Sequence, residues 1–492
     1  MKKNALTSAL VAGLVGVAGI ASVSNAVNLN PDGLGQALIY PYYTINNGNF
    51  TTLSIVNTTG DGKALKVAFK EGLDSLDIFD FNLYMSPYDV WTASVAAPPG
   101  DTGTGIPLIA TADTSCTVPN LINPRPELAP VTIAPGVFGV PLRNGTAAAA
   151  DRREGYVTIV EMGELVGTSL TAATHFGGAA PVSCATLVDA WAPGGTRNYW
   201  TVSPIIDIDV PTGGLFGNAA IVNTGEGRMN SYAAEALGDW SNVRQHTPPE
   251  RDDPQLAAAR SAGVAAPGAD SFVFDSANNR LVQSRWAAGA LAVTATLMAN
   301  KVVNEYATTI GTPAGDAFDS EWVLTFPTKR FHAIAACGGP NAAFIPPFTA
   351  CAQPYFINLY NREEEVFNPQ VGSPGAPTTL RREVQVLTFN DEGGAPADIL
   401  GSPSFVNFAA VGFTEGWAEI GFGFRPPGGQ PNSSTSVTST AVVTPAIPAS
   451  TYFGLPVVGF WAFSANNTQG LPGVRAFYGD FFKHRTEKRI TQ

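Results

Sequence analysis

From Leu38 to Val95 the chain is a succession of short alternating segments broken by turn residues. Leu38–Thr44 runs into Asn47-Gly48-Asn49, and Thr51–Thr59 runs into Gly60-Asp61-Gly62. In Lys63–Glu71, Leu65, Val67 and Phe69 fall on one side, and Ala64, Lys66, Ala68 and Lys70 on the other. In Phe79–Met85 the apolar Phe79, Phe81, Leu83 and Met85 alternate with Asp80 and Asn82. A period of two places each set on one face of a strand. Both segments therefore predict half-buried strands with a core side and a solvent side. Pro87 interrupts the pairing and Val90–Val95 resumes it.

The same texture recurs downstream. Strands are predicted at Tyr156–Glu161, Tyr199–Val210, Tyr355–Tyr360, Glu383–Phe389, Ala418–Phe424 and Val457–Phe463. Lys301–Thr308 and Glu321–Phe326 read as partner strands joined by a Gly/Pro loop, with Trp322, Leu324 and Phe326 on one face. Ile-Val-Asn-Thr occurs at Ile55–Thr58 and again at Ile221–Thr224, each before a Gly turn, which hairpin chemistry explains as well as a duplication does. Short helices are expected at Tyr232–Trp240 and Asp253–Arg260. In the second, Asp253 suits a cap, Pro254 the first turn and Gly263 a stop. Loop-rich excursions are expected near 96–150, 240–271 and 425–450, the last including the Ser/Thr/Pro-rich, flexible Gln430–Pro448.

These elements predict an all-β chain: a large antiparallel β-sandwich, jelly-roll or Ig-like, with long loops and a few short helices. The opening strands are expected to pair with C-terminal ones inside one domain spanning 27–492.

The ends add a compartment. Met1-Lys2-Lys3, an apolar run from Ala9 to Val23 and Ser24-Asn25-Ala26 have the three parts of a secretory signal peptide, with cleavage expected after Ala26. No later segment is long and apolar enough to predict a transmembrane helix. Losing Lys2 and Lys3 leaves 26 basic residues against 40 acidic ones, a net charge of −14. That balance disfavours nucleic acid as a partner. The basic residues of Lys483–Arg485 and Lys488–Arg489 read as a solvated tail. In an oxidising compartment the four cysteines are expected to pair as Cys116–Cys184 and Cys337–Cys351, the second stapling a Gly/Pro loop.

Several stretches carry a resemblance. Ile39–Thr44, Ser54–Thr58, Asp80–Leu83 with Ser86–Trp91, Trp322–Phe331, Asn361–Glu364, Glu383–Phe389 and Gly454–Phe460, spread in order along the chain, resemble a family of exported, uncharacterised proteins of Gram-negative bacteria. The resemblance implies a secreted or surface location and transfers no catalytic residue.

Candidate chemistry is sparse. There is no Gly-x-Ser-x-Gly elbow, and His175, His246, His332 and His484 lie far apart in sequence. Asp207 and Asp209 fall on one side of the predicted Tyr199–Val210 strand, where two carboxylates could bind a ligand or work on a sugar. The alternative puts them on a solvent side, with Ile206, Ile208 and Val210 in the core. No cofactor is expected, calcium being the one ion that turns such as Asn30–Gly33 or Asn390–Glu392 could take. Tyr40, Tyr42, Tyr43, Tyr84, Tyr88 and Trp91 could form a sugar-stacking face or a core.

The expected function is that of a non-enzymatic, exported, structural or adhesive protein, outside the cell or at its surface, with a periplasmic location as the alternative compartment. Its partners would be a surface glycan, other surface proteins or further copies of itself. The alternative function is carbohydrate binding or carbohydrate chemistry on a β scaffold. An outer-membrane barrel fits less well, given the prolines, the cysteines and the non-aromatic Arg-Ile-Thr-Gln end.

Overall fold

The computed structural model describes residues 26–124, 128–143, 145–194, 197–308, 316–334, 344–367, 379–389, 397–408, 413–422, 435–443, 446–467 and 476–492. The chain is an all-β, sandwich-like protein built from several mainly antiparallel sheets, with few and short helices.

Four sheets make the body. The first runs, from edge to edge, through Arg280–Trp286, Ala269–Asp275, Ala26–Leu29, Glu235–Gly238, Ala37–Thr44, Glu154–Leu165, Gly62–Glu71, Asp77–Met85 and Cys116–Val118. The second centres on Leu215–Asn223, Phe50–Asn57 and Val90–Ala96. The third centres on Phe356–Asn361, Glu415–Gly421 and Lys301–Ala307. The fourth centres on Val384–Thr388, Asp316–Thr325 and Val458–Asn467.

The predicted alternation holds where it is strongest. Leu65, Val67, Phe69, Phe79, Phe81 and Leu83 enter one core with Leu53, Ile55, Trp91 and Val95 from the second sheet. The fourth sheet is apolar on both faces. Trp322, Leu324, Leu387 and Trp461 face the third sheet, while Val323, Val386, Phe460 and Ala462 join the core of the first two. Phe460 packs on Tyr42 and Tyr232, and Thr325 Oγ1 donates to the carbonyl of Pro41 at 2.5 Å.

The opening strands therefore do contact the C-terminal ones, but through faces rather than hydrogen-bonded edges. Their ladder partners are local or central: Ala37–Thr44 pairs with Glu154–Leu165 and Glu235–Gly238, and Phe50–Asn57 with Leu215–Asn223 and Val90–Ala96. The two Ile-Val-Asn-Thr segments lie on adjacent antiparallel strands, and each Asn organises its own turn. Asn57 Oδ1 accepts from Thr59 N and Asn223 Oδ1 from Glu226 N.

Several expectations are corrected. Tyr232–Trp240 is not helical. It holds the end of strand Arg228–Ala233 and strand Glu235–Gly238, because Arg228, Asn230 and Tyr232 are buried alternately with exposed Met229, Ser231 and Ala233. Asp253–Arg260 yields only a 3-10 turn, Leu256–Ala258, and the Asp253 carboxylate pairs with Arg251 instead of capping it. Lys301–Ala307 and Asp316–Thr325 are not ladder partners; they belong to facing sheets.

The basic end is no solvated tail. Arg485–Glu487 pairs with Lys301–Val303 and Arg489–Thr491 with Thr451–Phe453. His484 is buried, and its Nε2 donates to the Val323 carbonyl at 3.0 Å. In Gln430–Pro448, Ser436–Thr438 forms a strand, and residues 430–434 and 444–445 lie outside the described set. Among the described residues no helix is long and apolar enough to cross a membrane.

Candidate functional site

Strand Gly62–Glu71 is buried on both faces. The side away from the main core carries Ala64, Lys66, Ala68 and Lys70, and the neighbouring strand adds Asp80, Asn82 and Tyr84. Distant segments cover this polar side, which corrects the solvent side expected for it. Lys66 Nζ donates to the carbonyls of Pro248 and Arg251, at 2.9 and 2.8 Å. Asn82 Nδ2 donates to the Thr247 carbonyl at 2.9 Å. Burial lowers the Lys66 ammonium to about 8, against the pull of nearby carboxylates.

Above Ala64 and Tyr84 sits a cap made of the Gly167–Ala173 and Cys184–Ala190 helices with Trp191, Trp200 and Ile208. An aromatic knot ties the cap to the sheet. Trp191 Nε1 donates to Tyr84 Oη at 2.9 Å, and Tyr84 Oη lies 3.0 Å from His246 Nε2. His246 Nδ1 lies 2.6 Å from the Pro204 carbonyl, which can only accept. The proton therefore sits on Nδ1, and Nε2 accepts from Tyr84. Burial pushes His246 down to about 3 and keeps the ring neutral.

The cap is bolted down by Cys116–Cys184, which joins the edge strand Cys116–Val118 to the first residue of the Cys184–Ala190 helix. Cys351 is also disulfide-bonded, and Cys337, its expected partner, lies outside the described residues.

Between these parts opens a cleft of about 1150 Å³. Asp77 and Asp80 line it from the Asp77–Met85 strand, together with Phe79, which otherwise packs in the main core. Val188, Asp189 and Trp191 form one wall, Val118, Pro119 and Leu128 a second, and Glu250, Arg251 and Asp252 a third. The two strand carboxylates differ. Asp77 Oδ1 binds Lys70 at 2.5 Å and its Oδ2 accepts from Gln255 at 3.4 Å. Asp80 is 5% exposed, and its Oδ2 has no hydrogen-bond partner among the described residues. Burial raises the Asp80 carboxyl to about 6, with Lys66 pulling the other way. Among the described residues no three acidic, His or Cys side chains converge as a metal shell.

The sequence-predicted candidates lie elsewhere. Tyr199–Val210 is not a strand: it holds a short helix, Tyr199–Val202, a turn, and the two-residue strand Ile208–Asp209. Asp207 sits in that turn with φ of 54°. Its Oδ2 accepts from Ser169 N and Oγ at 3.0 and 3.1 Å, anchoring the Gly167–Ala173 helix. Asp209 pairs along the strand with Glu164 and is exposed. The two carboxylates thus share no strand face, and of Ile206, Ile208 and Val210 only Ile208 is buried.

In Asn30–Gly33, Asn30 donates to the Leu34 carbonyl and accepts from Asp32 N, closing an Asx turn; Asn390–Glu392 lies outside the described residues. Of the six opening aromatics only Tyr88 is exposed, and the others are core. Asp80, Asp189 and Trp191 escaped sequence reasoning, since nothing local distinguishes Asp80 from any polar position on a strand.

Comparison of the chain with protein-family models, curated proteins and solved structures finds no match.

Proposed function

We propose that this is an exported protein that works at the cell surface or outside the cell by binding, not by turnover. The observation that carries the reading is the Cys116–Cys184 disulfide, which locks two walls of the cleft and would persist in an oxidising compartment. The leader-like first 26 residues and the resemblance to exported Gram-negative proteins point the same way. The histidines support binding over catalysis, because each is engaged structurally. His175 lies at Ser86 and Thr114, His246 at Tyr84, His332 at Thr294 and His484 at Val323. Surface glycans, other surface proteins and further copies of this chain are the partners this reading allows.

The test is to express the full chain with its leader, label intact cells with a membrane-impermeant reagent and trap thiols by alkylation. The expected result is surface or extracellular material with Cys116 and Cys184 oxidised. A wholly cytoplasmic, reduced pool overturns the reading.

A second reading, carbohydrate binding or carbohydrate chemistry, is favoured by the cleft, whose lining includes Trp191, Asp80 and Asp189. A glycan array run with a hydrolysis screen tests it; silence in both removes it.

A further inference from the structure

The cleft combines two features that constrain its ligand. Its described lining holds five carboxylates against one cation, Arg251; Asp77 is paired with Lys70, which leaves Asp80, Asp189, Glu250 and Asp252. Arg251 is already committed to Asp253, at 2.7 Å. Asp80, one of the lining residues, is 95% buried, and its Oδ2 has no hydrogen-bond partner among the described residues. The nearest strand cation, Lys66, directs its ammonium to two backbone carbonyls, and no ion pair joins it to Asp80 among the described residues. A buried, unpaired carboxylate is costly unless something supplies a donor.

The spacing of these groups narrows the class further. The acids come from three separate segments of the chain, 77–80, Asp189 and 250–252, and apolar Val118, Val188 and Trp191 line the same cleft. That arrangement suits several separate cationic donors joined by short apolar spacers better than one metal ion.

We propose that the cleft binds a linear polyamine, with Asp80 receiving one ammonium and the wall carboxylates receiving the others. The inference rests on the reading of this protein as a binder and names its ligand class. Methylene spacers lie against Val188 and Trp191, and the ammonium groups exchange water for carboxylate oxygens in charge-assisted hydrogen bonds.

The experiment is isothermal titration of purified disulfide-intact chain with spermidine at low and high salt. Maltopentaose and calcium chloride are titrated in parallel arms. Spermidine is expected to bind with a salt-dependent affinity, and D80N to weaken it by at least about tenfold. D80N removes a desolvated, unpaired charge, so a melting curve matching or exceeding the parent's is expected. D252N, on the exposed wall, gives a second, smaller loss without touching Asp80. D209N, outside the cleft, leaves affinity unchanged.

Absence of spermidine binding overturns the proposal, as does binding that D80N leaves intact or that D209N weakens equally. Binding of calcium alone overturns it as well. Binding of maltopentaose instead also overturns it, while leaving the protein a binder.

Discussion

Lys63 and Glu161 form a fully buried ion pair, Nζ to Oε1 at 2.9 Å, across adjacent strands of the first sheet. Neither side chain is exposed. Glu161 also accepts the amides of Thr212 and Gly213, at 3.2 and 2.7 Å, so the pair holds the 212–213 turn against the sheet. Two charges leaving water together cost more than their attraction returns unless every lone pair is used, as it nearly is here. Removing one partner is therefore worse than removing both. K63M is expected to destabilise the fold by about 3–5 kcal/mol, and K63M/E161Q, which removes both charges and keeps an acceptor for the turn amides, to recover part of that loss. Urea unfolding of the two variants checks it; equal losses would contradict the account.

Glu321 sets a pH dependence. Its carboxyl is buried and pushed up to about 8, chiefly by desolvation, although the amides of Ile399 and Leu400 donate to it at 2.7 and 3.0 Å. The folded state therefore holds a proton that the unfolded chain releases near the ordinary glutamate value. This contribution is complete at low pH and is lost as pH rises towards about 8, by about 1.4 kcal/mol per pH unit within the window. E321Q cannot titrate, so its stability relative to the parent should rise by that slope between pH 5 and 8. Denaturation midpoints at four pH values give the measurement, and parallel curves would contradict it.

The Cys116–Cys184 bond closes a loop across 68 residues and anchors the cap. C116S/C184S is expected to lose about 2–4 kcal/mol. Limited proteolysis should then cut within 174–183, where Phe176 and Val182 are exposed. A variant as resistant as the parent would show that the aromatic knot alone holds the cap.

Lys488 closes the C-terminal end of the Gly289–Leu297 helix, its Nζ donating to the carbonyls of Thr296 and Met298 at 2.6 and 3.0 Å. These carbonyls have no further helical turn to receive them, and a cation at that end also complements the helix dipole. K488M is expected to cost about 1–3 kcal/mol. A thermal melt of K488M beside K483M, whose Lys483 pairs with Glu235 near the surface, separates this role from general charge loss.

The strands were legible wherever a period of two ran unbroken. The Gly62–Glu71 and Asp77–Met85 faces, the Trp322–Phe326 face and the all-β class follow from residues a few positions apart. The Cys116–Cys184 bond agrees with the pairing expected once Cys337 and Cys351 are assigned to the loop they bracket. Tyr199–Val210 and Tyr232–Trp240 differ from expectation because apolar residues in short segments suit either period, and burial of Trp200 and Tyr232 by distant partners decided them. The Asp207–Asp209 pairing failed with the strand it assumed. The cleft was invisible, since its lining comes from Asp77–Asp80, Val118–Leu128, Val188–Trp191 and Glu250–Asp252.

By itself the sequence determined which side chains of a strand share a face, because that is set by backbone geometry between near neighbours. Whether a polar face meets water was decided only by the tertiary structure. Lys66 and Asp80 look solvent-bound until a segment more than 160 residues later closes over them. Which segment covers which face is a many-body packing outcome, and no local pattern encodes it.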